Sequence, residues 1–139
     1  MATDGVDVAL CQAGIDLLRS DALLTVYDGY VPNTHSLPYV LVYTYTEWPG
    51  GSPADALDGV SGAPVARWYC HCVGETSIAA VAVAQRVRSL FLNARLNIGL
   101  PAVNVGLVYQ ESATPPQRDE STGSLLMDSV AVYRLMAAT

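Results

Sequence analysis

The densest group of reactive side chains is Cys70-His71-Cys72, and thiolates with an imidazole are good zinc ligands. The surrounding run, Arg67-Trp68-Tyr69-Cys70-His71-Cys72-Val73-Gly74, is rich in aromatic and β-branched residues and reads as a strand closed by glycine. Side chains alternate along a strand, so Trp68, Cys70 and Cys72 share one face and Arg67, Tyr69, His71 and Val73 the other. The thiols and the imidazole therefore cannot close on one ion, and His35 and Cys11 are too few to build a tetrahedral site. The cysteines are expected to pack as small apolar side chains, free of metal.

Nucleophilic catalysis meets the same obstacle, since a Cys-His pair on opposite faces of a strand is out of hydrogen-bonding reach, and no Gly-x-Ser-x-Gly elbow is present. Gly50-Gly51-Ser52 lacks the lysine and the helix start of a phosphate loop and reads as a turn. Asp55 with Asp58, and Asp119 with Glu120, are acids in polar stretches, where carboxylates are usually solvated. No catalytic residue, cofactor or metal is predicted, and the chain reads as a non-enzyme. Tyr39, Tyr43, Tyr45 and Trp48 could stack on bases. Nucleic-acid affinity, however, rests on neutralising phosphates, and this chain has 7 basic residues against 13 acidic ones, no lysine and a net charge of −6. Sheet packing or subunit contact accounts for the aromatics better, with Trp48 as a candidate interface anchor.

The elements that position these residues follow from periodicity. Asp4 can cap a helix over Gly5 to Ser20 with Val6, Leu10, Ala13 and Leu17 on one face, and Gly14 inside it costs about 1 kcal/mol relative to alanine. Strands are predicted at Leu23 to Tyr27 and Leu37 to Tyr45, separated by an Asp28-Gly29 turn and a Pro32-Asn33 loop. Glu47 to Pro64 is a Gly, Pro, Ser and Asp-rich excursion carrying Trp48, Asp55, Leu57 and Asp58. A span of this length is not needed to join neighbouring strands, so it is expected to reach a neighbour. After the central strand, Thr76 or Ser77 caps a helix running to about Leu96, with Ala80, Val83, Val87, Leu90, Phe91 and Ala94 in one apolar stripe. Val103 to Glu111 is a strand, Ser112 to Ser124 a second excursion carrying Arg118, Asp119 and Glu120, and Leu125 to Met136 a closing strand. The expectation is one α+β domain over residues 1–139, a mostly antiparallel sheet against two helices with two long loops.

The composition, 51% hydrophobic and 14% charged, supports a sizeable core and a surface partly covered by partners. No basic-apolar leader and no membrane-length apolar run is seen, and the three cysteines form no framework spacing, so cytosolic synthesis without disulfides is expected.

Taken in order, the N-terminal helix, Val26-Tyr27-Asp28-Gly29-Tyr30-Val31-Pro32, Pro38-Tyr39-Val40-Leu41-Val42-Tyr43, Cys72-Val73-Gly74 with the helix bearing Ala84-Gln85-Arg86-Val87-Arg88, the late strand and the Pro-rich loop resemble the tail-terminator family of long-tailed bacteriophages, as found in phages of actinobacteria. The resemblance implies a small α+β virion protein that forms a ring, commonly a hexamer, on the head-proximal end of the tail tube. Such a ring stops tube polymerisation and offers the surface that joins the head. It implies no enzyme activity and no cofactor. The partners implied are further copies of the chain, the tail tube protein and the neck connector, with DNA passing through an acidic bore without specific binding. Candidate interface residues are Trp48, Asp55, Leu57, Asp58, Arg118, Asp119 and Glu120. The competing readings are a head-closure or connector ring of the same junction, and a small cytosolic α+β enzyme or ligand-binding module with a pocket near Cys70, His71 and Tyr109.

Overall fold

The computed structural model describes residues 5–48, 64–101, 103–121 and 125–138. Helix α1 (Val6–Arg19) starts at Gly5, whose φ of 80° turns the chain in from the left-handed region, and closes where Ser20 Oγ donates to the Leu17 carbonyl. The expected Asp4 cap lies outside the described residues. Val6, Leu10, Gly14, Ile15 and Leu18 are the buried positions of α1. The buried stripe is thus rotated from the predicted one, with Ala13 and Leu17 packing at its margin.

The first strand is later and shorter than predicted. Leu23 is solvent-exposed and Leu24 buries in the connection, where Asp21 accepts the Leu23 N–H, so β1 is only Val26–Asp28. It pairs in parallel with β2 (Tyr39–Glu47), which pairs antiparallel with β3 (Val65–Gly74) along its whole length from Tyr39↔Val73 to Glu47↔Val65. The two ends of the long span between β2 and β3 therefore meet at one rung of the ladder. Residues 49–63 of the span, and with them Asp55, Leu57 and Asp58, lie outside the described residues.

Gly74 lets the chain turn tightly into the next helix, because a Cβ there would stand 2.6 Å from the Ala79 side chain. Thr76 Oγ1 accepts the Ala79 N–H at 3.1 Å, the predicted cap, and α2 runs Ser77–Phe91. It buries Ala80, Val83, Val87 and Phe91. The helix stops short of the predicted end because Leu92 turns to extended geometry (ψ 123°) and Asn93 then adopts φ 63°, a conformation asparagine tolerates, its N–H leaving the helix for the Val108 carbonyl. Leu90 and Ala94 are only partly buried.

The expected late strand is two pieces, β4 (Asn104–Val105) and β5 (Tyr109–Ala113), with a bulge between Gln110 and Ser112. The second predicted excursion also holds a strand, β6 (Gln117–Asp119). β4, β5 and β6 all pair with one flank of β7 (Leu126–Ala138), whose other flank pairs with β3. Proline and charge hid β6, since its support is the β7 ladder rather than any apolar alternation of its own. The architecture is the α+β fold expected, a mixed sheet in which only the β1–β2 pair is parallel among the described residues, with both helices on one face.

The core lies between the helices and that face. Trp68, Cys70 and Cys72 of β3, Val40 and Val42 of β2, and Ala131, Tyr133 and Leu135 of β7 point into it, as strand alternation requires. Phe91 sits between two of them, with ring centroids 5.3 Å from Trp68 and 5.0 Å from Tyr133.

Candidate subunit interface

With the helices on one side, the sheet's other face stays open, and the residues that alternate away from the core make it up. Tyr45 and Tyr69 stack across β2 and β3 at 5.9 Å between centroids, and their hydroxyls lie 3.4 Å apart. Tyr43 meets His71 edge to face at 5.6 Å, and His71 Nδ1 is 3.1 Å from Asp128 Oδ2 on β7. Arg67 sits at the centre of a charge cluster, donating to Glu47 on one side and to Glu111 at 3.0 Å on the other. Arg134 approaches Glu111 at 3.9 Å and lies over the Tyr109 ring, 5.8 Å from its centroid. The Arg67 guanidinium holds the Glu111 carboxyl below its ordinary pKa, and the two glutamates raise that of Arg67.

One end of this face is walled by the loop after β1. Tyr39, Val73 and Leu126 form a small second core there, partly covered by Val31 and Leu37. Beside it opens a groove of about 580 Å³ lined by Tyr39, Tyr43, His71, Asp119 and Asp128 among others. Asp128 Oδ1 is buried in this region without a hydrogen-bond partner among the described residues. A second hollow, about 430 Å³, lies between α1 and the outer edge of β2, where Val8 of α1 is 72% exposed.

The cysteines take the place that alternation assigned them, on the core face with His71 on the other. Burial raises the Cys70 thiol pKa well above the ordinary value and that of Cys72 to about 12, which suits packing and not nucleophilic chemistry. Cys70 is fully buried beneath the helices while His71 and Tyr109 belong to the open side, so these three residues do not line one pocket between helix and sheet. Among the described residues no group of three or more His, Cys, Asp or Glu is placed to hold a metal ion, and no helix is long and apolar enough to cross a membrane.

The candidate interface residues do not form one patch. Trp48 is half-buried and its indole N–H donates to Asp7 Oδ1 at 2.9 Å, tying the end of β2 to the first turn of α1. Arg118, Asp119 and Glu120 lie at the opposite end of the sheet, beside the start of β7. Arg118 pairs with Glu120 at 2.6 Å, and the hydroxyl and backbone N–H of Ser121, both donating to Asp119, lower its pKa. The sequence reading missed the Arg67–Glu47–Glu111 cluster. Arg67 was legible on the outward face of its strand, but Glu47 was assigned to the long excursion whereas β2 runs through it, and Glu111 joins them only through the bulge.

No family model matches the chain, and no curated protein matches it. Among solved structures, a chain of the virion of a native gene transfer agent (GTA) particle is similar over 94% of this chain and 95% of its own length, with a TM-score of 0.69 at 20% sequence identity, so the fold of this α+β domain is one also found in a virion particle.

Proposed function

We propose that the chain is a structural protein of a phage-like virion, a subunit of the ring that ends the tail tube at its head-proximal end and presents the surface joined to the head. The observation that carries this reading is the near end-to-end likeness to a chain of a GTA virion, where a whole domain and not a shared motif superposes. The resemblance of the ordered motifs to tail terminators supports the same role. So does the absence of a recognisable catalytic arrangement among the described residues, in which the reactive thiols are buried and an exposed sheet face and sheet edges remain for partners. In this reading the partners are copies of the chain in a ring, commonly a hexamer, with the tail tube protein below and the neck connector above. The net charge of −6 suits a bore through which DNA slides without binding. Trp48 and the Arg118–Glu120 turn, at opposite ends of the sheet, are placed to meet different partners.

Deleting the gene from particle-producing cells should give overlong tails unattached to filled heads, and gold label on the tagged protein should mark the head–tail junction. Tails of normal length joined to heads would refute the role. Heads that lack tails while free tails keep normal length would assign the chain to the neighbouring head-closure ring instead.

A further inference from the structure

The two lateral edges of the sheet are both incompletely used. β1 is so short that it covers β2 only at Val40, Leu41 and Val42. Among the described residues no strand pairs with the outer edge of β2 from Tyr43 to Glu47. The direction of the free groups follows from the bonds that are made. Val40 N–H donates outward to the Thr25 carbonyl and the Val42 carbonyl accepts outward from Gly29 N–H, so by strand alternation Thr44 and Thr46 also turn their N–H and C=O outward. They face the hollow between α1 and β2, with Val8 exposed on its rim.

The opposite edge presents β5, which pairs with β7 on one side and is exposed at every residue from Tyr109 to Ala113. Val108 directs its N–H and C=O away from β7, to Ala94 and Asn93, so Gln110 does the same. Beyond the bulge Thr114 N–H donates to Val130 on β7, which turns Ala113 outward. The bulged Glu111 side chain is drawn back over the open face by Arg67, clear of the edge.

We infer that the free edge of β2 at Tyr43–Glu47 accepts strand β5 of a second copy of this chain, so that the sheet continues from subunit to subunit. This rests on the ring reading and specifies its contact. A second copy is the favoured occupant because the vacant edge and an exposed strand of similar length lie on opposite flanks of one sheet. Such a contact is head-to-tail and repeats, giving a ring when the rotation between neighbours closes, as the ring reading requires, and an open filament when it does not. Unpaired strand edges are templates for strand addition, and the exposed Val8 beside the hollow gives the incoming strand an apolar surface to cover.

The test uses the full chain, purified at high concentration and also incorporated in particles. Thr46→Pro removes an outward N–H and blocks the edge while sparing the inward bonds to β3. It should retain wild-type circular dichroism and lose the oligomer by native mass measurement. Separately, in a Cys11→Ser background, Thr46→Cys paired in turn with Tyr109→Cys, Gln110→Cys or Ala113→Cys should give a disulfide ladder ending at the ring's subunit number. If Thr46→Pro fails to fold, the ladder decides. Wild-type rings with no ladder in any pair, or a folded Thr46→Pro that assembles normally, overturn the contact and leave the ring standing. A wild-type chain that forms no oligomer in solution or in particles overturns both.

Discussion

A Cβ added to Gly14 of α1 would lie 2.2 Å from Nε1 of Trp68, the indole that donates to the Cys11 carbonyl on the same helix at 3.2 Å. The helix can lie this close to β3 only because position 14 has no side chain. Helix propensity alone favours alanine there by about 1 kcal/mol. Packing reverses the sign, since Trp68 is fully buried, packed against Phe91 and held by its bond to Cys11. Gly14→Ala should therefore destabilise the fold by about 1–3 kcal/mol in urea titrations. A stabilised variant would show that α1 can lift from the sheet without loss.

Phe91 is the second test of the core. It is fully buried between Trp68 and Tyr133, and truncation to alanine should cost about 3–5 kcal/mol. Leu90→Ala, on the half-buried flank of the same turn, should cost clearly less. Equal losses would mean that the helix is seated differently.

The thiols and Tyr133 make a prediction at high pH. Burial raises the pKa of Cys70, Cys72 and Tyr133 in the folded chain, so the unfolded chain releases these protons first. Stability should fall as pH rises above the ordinary thiol value of 9.0 and continue to fall towards about 12, the folded value of Cys72. Cys70→Ala with Cys72→Ala should flatten that slope. Alkylation under native conditions should mark the half-buried Cys11 well before the other two.

The cluster on the open face predicts the opposite slope in acid. Arg67 lowers the Glu111 pKa, so the stability this pair adds is present above the ordinary value of 4.5 and is lost as pH falls through the folded value. Both groups are partly solvated, and the contribution should stay below about 1 kcal/mol. Glu111→Gln should remove this part of the acid dependence, seen as a smaller drop in melting temperature between neutral pH and pH 4 or below.

What could be read in advance was the part dictated by local periodicity. Alternation placed Cys70 and Cys72 opposite His71, and helical spacing placed Val83, Val87 and Phe91 against the sheet. The early end of α2 turned on the extended Leu92 and left-handed Asn93, backbone conformations that no periodicity reports. β6 was missed because its three residues, Gln117, Arg118 and Asp119, look like loop and become strand by pairing with β7. The open-face cluster needed the register of three strands and a bulge at Glu111, information that belongs to the assembled sheet. Gly14 looked like a flaw in a helix until its tertiary neighbour was known.

The order of pairing also bears on biosynthesis. β7 follows every one of its partners in the chain, yet β3, β4, β5 and β6 all pair with it. A chain still emerging from the ribosome can form the β2–β3 hairpin and α2, but one flank of β3 and the apolar sides of Trp68 and Phe91 must wait for Tyr133 and Leu135 to arrive. Folding is then completed after translation of β7, and a product stopped before Leu126 would present a sticky half-sheet to chaperones and proteases instead of a smaller domain. Ribosome-stalled chains of increasing length should acquire protease resistance in one late step, once β7 has cleared the exit tunnel.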